Sequence, residues 1–337
     1  MGNSKENRIY YYDNLRFFLI AMVVIGHFVD EISPLPQTFQ SIFIWIYSFH
    51  MPLFLFISGM FHKNEKIAPK VTKFVMIGIA MPITSILLKL VMGKESVGVA
   101  FFKTGALPWF MFVLAGYTLL TYLLRKMDKR SILLFAIIFG LFSGYDSSLG
   151  DTLFLSRFIV FYPFFLLGNM ITPDQLIKVL DKKWIRIIGI AVLAVWAAIC
   201  IFKFDAVYML RPLFTGRQPF NNRFGTWAFL YRGLAYLITM IAGFGVMCLI
   251  PKSKMPVVTR LGGRTLQIYF WHYRVLTVIL YFNVGELLCV SATGKLLWLL
   301  LAVVCTVFTG LKPFGFPTNQ ISKLSRYADA QEKKEAR

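Results

Sequence analysis

Two polar residues on the first apolar run have the types and spacing that group transfer in a membrane needs. Arg16 and His27 stand eleven residues apart in YYYDNLRFFLIAMVVIGHFVD, which is close to three helical turns. Both therefore fall on one helix face, ~16 Å apart along the axis, with Asp13 and Asp30 within about 40° of the same stripe. A charged or titratable residue inside an apolar span is costly and marks a functional site by default. A neutral imidazole at position 27 can take a proton from an attacking hydroxyl, and Asp30, one turn on, can fix its tautomer. Arg16 can hold an anionic group arriving at the mouth of the span. The alternative is that His27 and Asp30 satisfy each other or join a helix–helix hydrogen bond.

The second apolar run adds His50, Ser58 and Gly59 in SFHMPLFLFISGMFH. Position 50 lies about eleven residues from the end of that span, so it reaches the depth of His27 by helical rise. Ser58 and Gly59 permit close helix approach; a serine nucleophile is the alternative reading. His62 follows at the surface, and behind it stand Lys63, Lys66, Lys70 and Lys73. These lysines fit the positive-inside pattern, and equally a cradle for the phosphates of a cytosolic cofactor. Far along the chain, GGRTLQIYFWHY sets His272 in another apolar run, either as a packed histidine or as a second polar site residue.

The elements that must position these residues follow from composition. The chain has 337 residues, of which 57% are hydrophobic and 15% charged. Soluble domains average ~25% charged, so the composition predicts an all-α polytopic integral membrane helix bundle. A crossing helix needs ~20 apolar residues. Ten runs qualify, at about 14–32, 39–61, 71–92, 107–124, 131–145, 152–171, 184–202, 226–250, 264–284 and 291–311, the fifth being short. The domain reading is a short cytoplasmic N-terminus (1–13), one transmembrane domain of about ten transmembrane helices (14–311) and a cytoplasmic tail (312–337). Pro82 and Pro163 should kink their helices, which neighbours can accommodate. Four cysteines without ligand-like spacing indicate neither a disulfide framework nor a zinc site, and no metal is expected.

The net charge of +20 sits in short clusters between apolar runs, which argues for a membrane topology and against nucleic acid as a partner. Anionic membrane lipids and an anionic cofactor suit such clusters better. Alternate loops carry Lys63 to Lys73, then Arg125 to Arg130, Lys178 to Arg186 and Lys252 to Arg264, and they share a side with Lys5, Arg8 and the basic tail. The opposite loops are poorer in bases, as Asp30 and Glu31 illustrate. Ten spans with both termini in the cytoplasm satisfy this alternation, which predicts a multi-pass protein of the cell membrane. One loop on the outer side dissents: KFDAVYMLRPLFTGRQPFNNRFGTW holds Lys203, Arg211, Arg217 and Arg223. It reads either as an interfacial loop with snorkelling arginines or as part of an acceptor site using arginine, Asn221, Asn222 and Trp227. Trp109 reads as an interfacial anchor.

These residues resemble the membrane acyltransferase-3 family, in particular its sugar O-acetylases. DNLR followed by a histidine eleven residues after the arginine, then FHMPLFLFISGMF with bases behind it, carry the resemblance; WFMFVL, FFLLGN and GGRTLQIYFWHY match weaker features in order. The resemblance implies a bacterial O-acyltransferase that moves an acetyl or other short acyl group to a hydroxyl of a glycan or lipid-linked sugar. Its donor would be acetyl-CoA or another acyl-CoA from the cytoplasm, with no bound cofactor. By position, His27 corresponds to the family's catalytic histidine, Arg16 to its first-helix arginine, and Ser58–Gly59 to its Ser-Gly motif. Lys63 to Lys73 match the family's arginine-rich region by location alone, and lysine lacks the bidentate grip of arginine. Many such proteins carry an extracytoplasmic esterase-like domain, and the lack of one here implies direct delivery to the acceptor.

The expected mechanism docks acyl-CoA against Arg16 and the lysines and uses His27, oriented by Asp30, as general base. Asp13, His50, Ser58, Gly59 and His272 would line the substrate pocket. An acetylated His27 relay is left open. The rival function is a polytopic transporter or lipid/glycan flippase, which also places polar residues in broken helices; a non-catalytic scaffold is the other.

Overall fold

The computed structural model describes residues 10–93, 108–150, 152–217, 219–220 and 224–335. Lys5, Arg8, Asn221, Asn222 and Arg223 of the sequence reading lie outside these residues. Among the described residues the fold is helical, with no strand. In chain order the helices are α1 (Tyr10–Asp30), α2 (Gln37–Tyr47), α3 (His50–Met60), α4 (Ile67–Val91), α5 (Trp109–Leu123) and α6 (Lys129–Phe142). They continue with α7 (Leu155–Met170), α8 (Pro173–Leu180), α9 (Lys183–Phe202), α10 (Phe204–Tyr208), α11 (Arg211–Thr215) and α12 (Ala228–Leu249). The last five are α13 (Pro256–Gly262), α14 (Thr265–Tyr281), α15 (Val284–Leu288), α16 (Ala292–Thr309) and α17 (Thr318–Glu335).

In hydrocarbon every backbone polar group needs an internal partner, which is why long apolar runs become helices. Seven segments among the described residues are long and apolar enough to cross a membrane: α1, α2–α3 taken together, α4, α7 with its lead-in turn, α9, α12 with its lead-in turn, and α16. The other three expected spans are helices as well, but α5 has 15 residues, α6 has 14 and α14 has 17. Local stops set those lengths. The Asp128 carboxylate caps α6 by accepting the Ser131 N–H at 2.8 Å, and α14 starts only after Gly262–Gly263. Burial separates the long helices: α1 and α2–α3 are mostly buried, whereas α4 and α9 expose apolar faces through Leu87, Leu90, Ile187 and Val195. Apolar side chains turned outward are what a lipid-facing surface requires. Helices α4 and α7 run on through Pro82 and Pro163. In α4, Thr84 and Ser85 donate their hydroxyls back to the carbonyls of Ala80 and Met81 just after the proline's break in the ladder.

The chain divides into two units. The first contains Met1–Ile46, Leu180–Phe204 and Ile241–Gly315. Its centre is α1, which packs on α13, α14 and α16. Polar anchors fix that helix to partners far along the chain. Asn14 Nδ2 donates to the carbonyls of Pro251 (3.0 Å) and Ser253 (2.9 Å), while its Oδ1 accepts the Thr259 hydroxyl at 2.7 Å. Tyr11 donates to Met247 O at 2.7 Å, and Trp298 Nε1 donates to Phe28 O at 2.8 Å near the other end. Gly262 touches the α1 backbone so closely that a Cβ there would overlap the carbonyl of Asp13.

The second unit contains Tyr47–Val179, Asp205–Met240 and Phe316–Arg337. Here α3 packs on α7, α4 on α5, and α6 on α7. The segment read from sequence as a polar tail folds in part as α17, which lies along α4.

Candidate active site

The first unit brings together two histidines that lie 245 positions apart in sequence. His27 occupies the last turn of α1 and remains half-buried; His272, in the middle of α14, is fully buried. Their ring centroids are 5.4 Å apart with an interplanar angle of 34°. The Nδ1 of His272 lies 2.9 Å from Ile268 O. A carbonyl can only accept, so in the neutral ring the proton sits on Nδ1 and Nε2 keeps its lone pair. That Nε2 is buried and has no hydrogen-bond partner among the described residues. Behind it, the Cys305 thiol donates to His272 O at 3.9 Å, tying α16 to this turn of α14.

A second contact fixes His27 from the side. The Tyr273 ring meets it edge-on at 5.6 Å and 81°. The Tyr273 hydroxyl donates to Glu31 Oε1 at 2.7 Å, across 242 positions of sequence. Glu31 lies one residue past the end of α1, so one hydrogen bond and one ring contact lock the end of α1 to α14. Asp30, expected to orient His27, is the last residue of α1 and is half-buried. The sequence reading did not assign a site role to Tyr273 or Glu31. The available signal was a tyrosine adjacent to a histidine in an apolar run, which composition alone cannot pair with an acid at the far end of the chain.

At the opposite end of α1, Asp13 is buried and holds Arg16 through an ion pair of 3.6 Å. The arginine side chain retains 32% of its surface. Arg16 is therefore anchored by the Asp13 carboxylate while part of its side chain stays exposed. Along α1 the order is Asp13–Arg16, an apolar stretch through Val23 and Val24, then His27, so the cation and the imidazole stand at opposite ends of one rigid rod.

The remaining sequence candidates belong to the second unit, and most are engaged by their own surroundings. His50 starts α3, is buried, and packs against Tyr47 with ring centroids at 4.6 Å. The Ser58 hydroxyl donates to Phe54 O, one turn earlier in α3, at 2.8 Å. Gly59 and Gly168 are the points where α3 and α7 touch: a Cβ on Gly59 would overlap Phe165 O, and one on Gly168 would overlap Phe56 O. Asn169 Nδ2 adds a bond to Gly59 O at 3.2 Å. Gly59 thus lies where α3 and α7 touch, and the Ser58 hydroxyl is bonded within its own helix.

After α3 the chain turns through the basic segment. Lys70 Nζ donates to Lys63 O at 2.7 Å and curls the lysine-rich turn onto itself. Lys66 precedes α4 in a left-handed conformation, with φ of 52°. Lys73 has its ammonium 4.5 Å from the Phe74 ring centroid and lies within electrostatic reach of Lys70 and of Arg326 on α17. His62 lies within electrostatic reach of Lys70 and Lys129. Burial holds its pKa below the ordinary histidine value against the opposing bond to Asn64, and Lys70 and Lys129 add to the depression. Helix α17 thus adds Arg326 to the lysine group, so like charges gather where an anion would relieve their repulsion.

Comparison with known proteins adds one result. The sequence model of the acyltransferase-3 family, described as an acyltransferase domain, matches residues 9–311. No curated protein and no solved structure matches.

Proposed function

The chain belongs to the acyltransferase-3 family and is a membrane acyltransferase; from that premise we propose that it moves an acetyl or other short acyl group from acyl-CoA to a hydroxyl of a glycan or lipid-linked sugar. The observation that carries the reading is the half-exposed His27, backed by the buried ring of His272 and flanked by Tyr273–Glu31. A histidine held by neighbouring rings and still partly exposed is suited to act as a base.

In the reaction the acceptor oxygen attacks the thioester carbonyl carbon, and His27 takes the hydroxyl proton as the new C–O bond forms. The C–S bond then breaks, and the imidazolium returns its proton to the departing thiolate, releasing CoA as the thiol. His272 presents a lone pair at Nε2 instead of a second N–H, so it meets the developing imidazolium as a dipole of the right sign. Tyr273, bonded to Glu31, keeps the ring from turning. Arg16, kept in place by Asp13, supplies a cation for the donor's phosphates, and Lys63, Lys66, Lys70 and Lys73 form a separate basic group of the second unit suited to the same kind of anion. Asp30 is the nearest carboxylate on the same helix and shares the positioning of His27. Membership in an acyltransferase family sets aside the transporter reading. The expected setting is the cell membrane with both termini in the cytoplasm.

The test is transfer of label from radiolabelled acetyl-CoA in membranes containing the protein, followed by separation of glycan and lipid fractions. Label in a glycan or lipid-linked sugar, absent from membranes lacking the protein, is the expected result. Label that never leaves the donor, across a broad acceptor pool, would overturn the acyl-CoA reading.

A further inference from the structure

Helix α17 presents an outer face with two distinct edges. Its inner face is Thr318, Ile321 and Ser325, all buried and three and four residues apart. On the outer side Leu324 and Tyr327 are 58% and 65% exposed, and Lys323 and Arg326 are exposed beside them. At ~100° per residue the four fall in the order Arg326, Lys323, Tyr327, Leu324 around about 160° of the helix. A basic edge therefore runs beside an apolar edge. Residues 316–327 contain no acid to neutralise the bases.

The level of this face in a bilayer follows from α4, on which α17 packs. Helix α4 has 25 residues, a rise of ~37 Å against a hydrocarbon core of ~30 Å, so it overreaches the core by about one turn. Its exposed apolar stripe begins at Met76 and continues through Ile79, Ile83, Leu87 and Leu90 at helical spacing. Just before Met76 stand Lys70 and Lys73. A change from bases to exposed apolar side chains marks where hydrocarbon begins along a spanning helix. Arg326 is within electrostatic reach of Lys73, three residues before that change. Helix α17 thus meets α4 at the level of the headgroups. Its exposed Asn319, Gln320, Lys323 and Arg326 exclude a course through the hydrocarbon itself.

We propose that α17 is an interfacial helix whose outer face docks on the headgroups of anionic phospholipids. Leu324 and Tyr327 enter the boundary between headgroups and acyl chains, a depth that suits a tyrosine ring with its apolar body and polar tip. Lys323 and Arg326 pair with lipid phosphates alongside. A basic edge next to an exposed apolar edge is the pattern of helices that lie in an anionic interface. An acidic soluble protein could satisfy the bases alone, but the level set by Met76 brings the apolar edge to lipid. The loop charges assign this end of the chain to the cytoplasm, the side on which a membrane attracts basic segments. This docking uses no acyl donor and is independent of the His27 reading.

The experiment places the full chain in nanodiscs of phosphatidylcholine alone or of equal parts phosphatidylcholine and phosphatidylglycerol. The four native cysteines are buried, so Gln320→Cys, on the exposed side of α17, takes a polarity-sensitive fluorophore selectively. Spin-labelled lipid should quench this label more, and aqueous acrylamide less, in the discs with phosphatidylglycerol. Replacing Lys323 and Arg326 with Gln should abolish that difference, at about fivefold in the docking equilibrium per base. Leu324→Gln with Tyr327→Gln should lower lipid quenching in both kinds of disc. High salt should erase the difference in the otherwise unaltered chain, a readout that serves if a variant does not fold. Acrylamide quenching as strong in either disc as on free dye would overturn the proposal and point to a soluble partner. Lipid quenching indifferent to phosphatidylglycerol, to salt and to the two bases would overturn it as well.

Discussion

The α1–α14 pair of the first unit and the α3–α7 pair of the second are written in the same vocabulary: a histidine, small residues and hydroxyls inside apolar helices. They use it to different ends. On α3, the Ser58 hydroxyl is spent on Phe54 O within its own helix, and Gly59 lets the α7 backbone come into contact. On α1 and α14, the polar groups reach across between helices, from Tyr273 to Glu31 and from ring to ring between His27 and His272. His272 also keeps a buried Nε2 without a partner. The difference lies in where the hydroxyls find their acceptors: Ser58 within α3, Tyr273 on Glu31 just beyond α1.

The largest break in this comparison is expected at His27. His27→Ala should lower acyl transfer by about 10²–10⁴-fold, the usual contribution of a positioned acid–base group, with the folded yield unchanged. Gly59→Ala should act in the opposite manner. The added methyl meets backbone at Phe165 and has no flexible side chain to displace, so a loss of about 1–3 kcal/mol or more is expected, seen as lower folded yield and an earlier melt. Activity per folded molecule should hold. Tyr273→Phe sits between these cases: it removes the Glu31 bond but keeps the ring against His27. A drop of about three- to tenfold in kcat is expected from the loss of one charge-assisted hydrogen bond, with KM for the donor little changed. The smallest effect belongs to Ser58→Ala, at about twofold or less in rate, since the hydroxyl only bonds back along its helix.

Much of the fold was legible because its cause is local. Long apolar runs gave the all-helical membrane class; three of the ten expected spans are shorter helices, α6 starting at the Asp128 cap and α14 after Gly262–Gly263. Arg16 and His27 were legible because a three-turn spacing puts both on one face whatever they pack against. Tyr273 and Glu31 were not, because the bond between them joins residues 242 positions apart and depends on how α1 and α14 cross. Ser58 was ambiguous for a related reason: a serine next to a glycine reads equally as nucleophile or spacer until its hydroxyl is seen on Phe54 O.

The most direct test of the central claim is one assay on three proteins. Wild type, His27→Ala and Ser58→Ala, each purified to the same folded fraction, are compared for transfer of labelled acetyl from acetyl-CoA to a native membrane acceptor. Ser58→Ala should keep the wild-type rate within about twofold while His27→Ala falls by about a hundredfold or more. Transfer that survives in His27→Ala, or that disappears in Ser58→Ala, would contradict it and move the chemistry from α1 to α3.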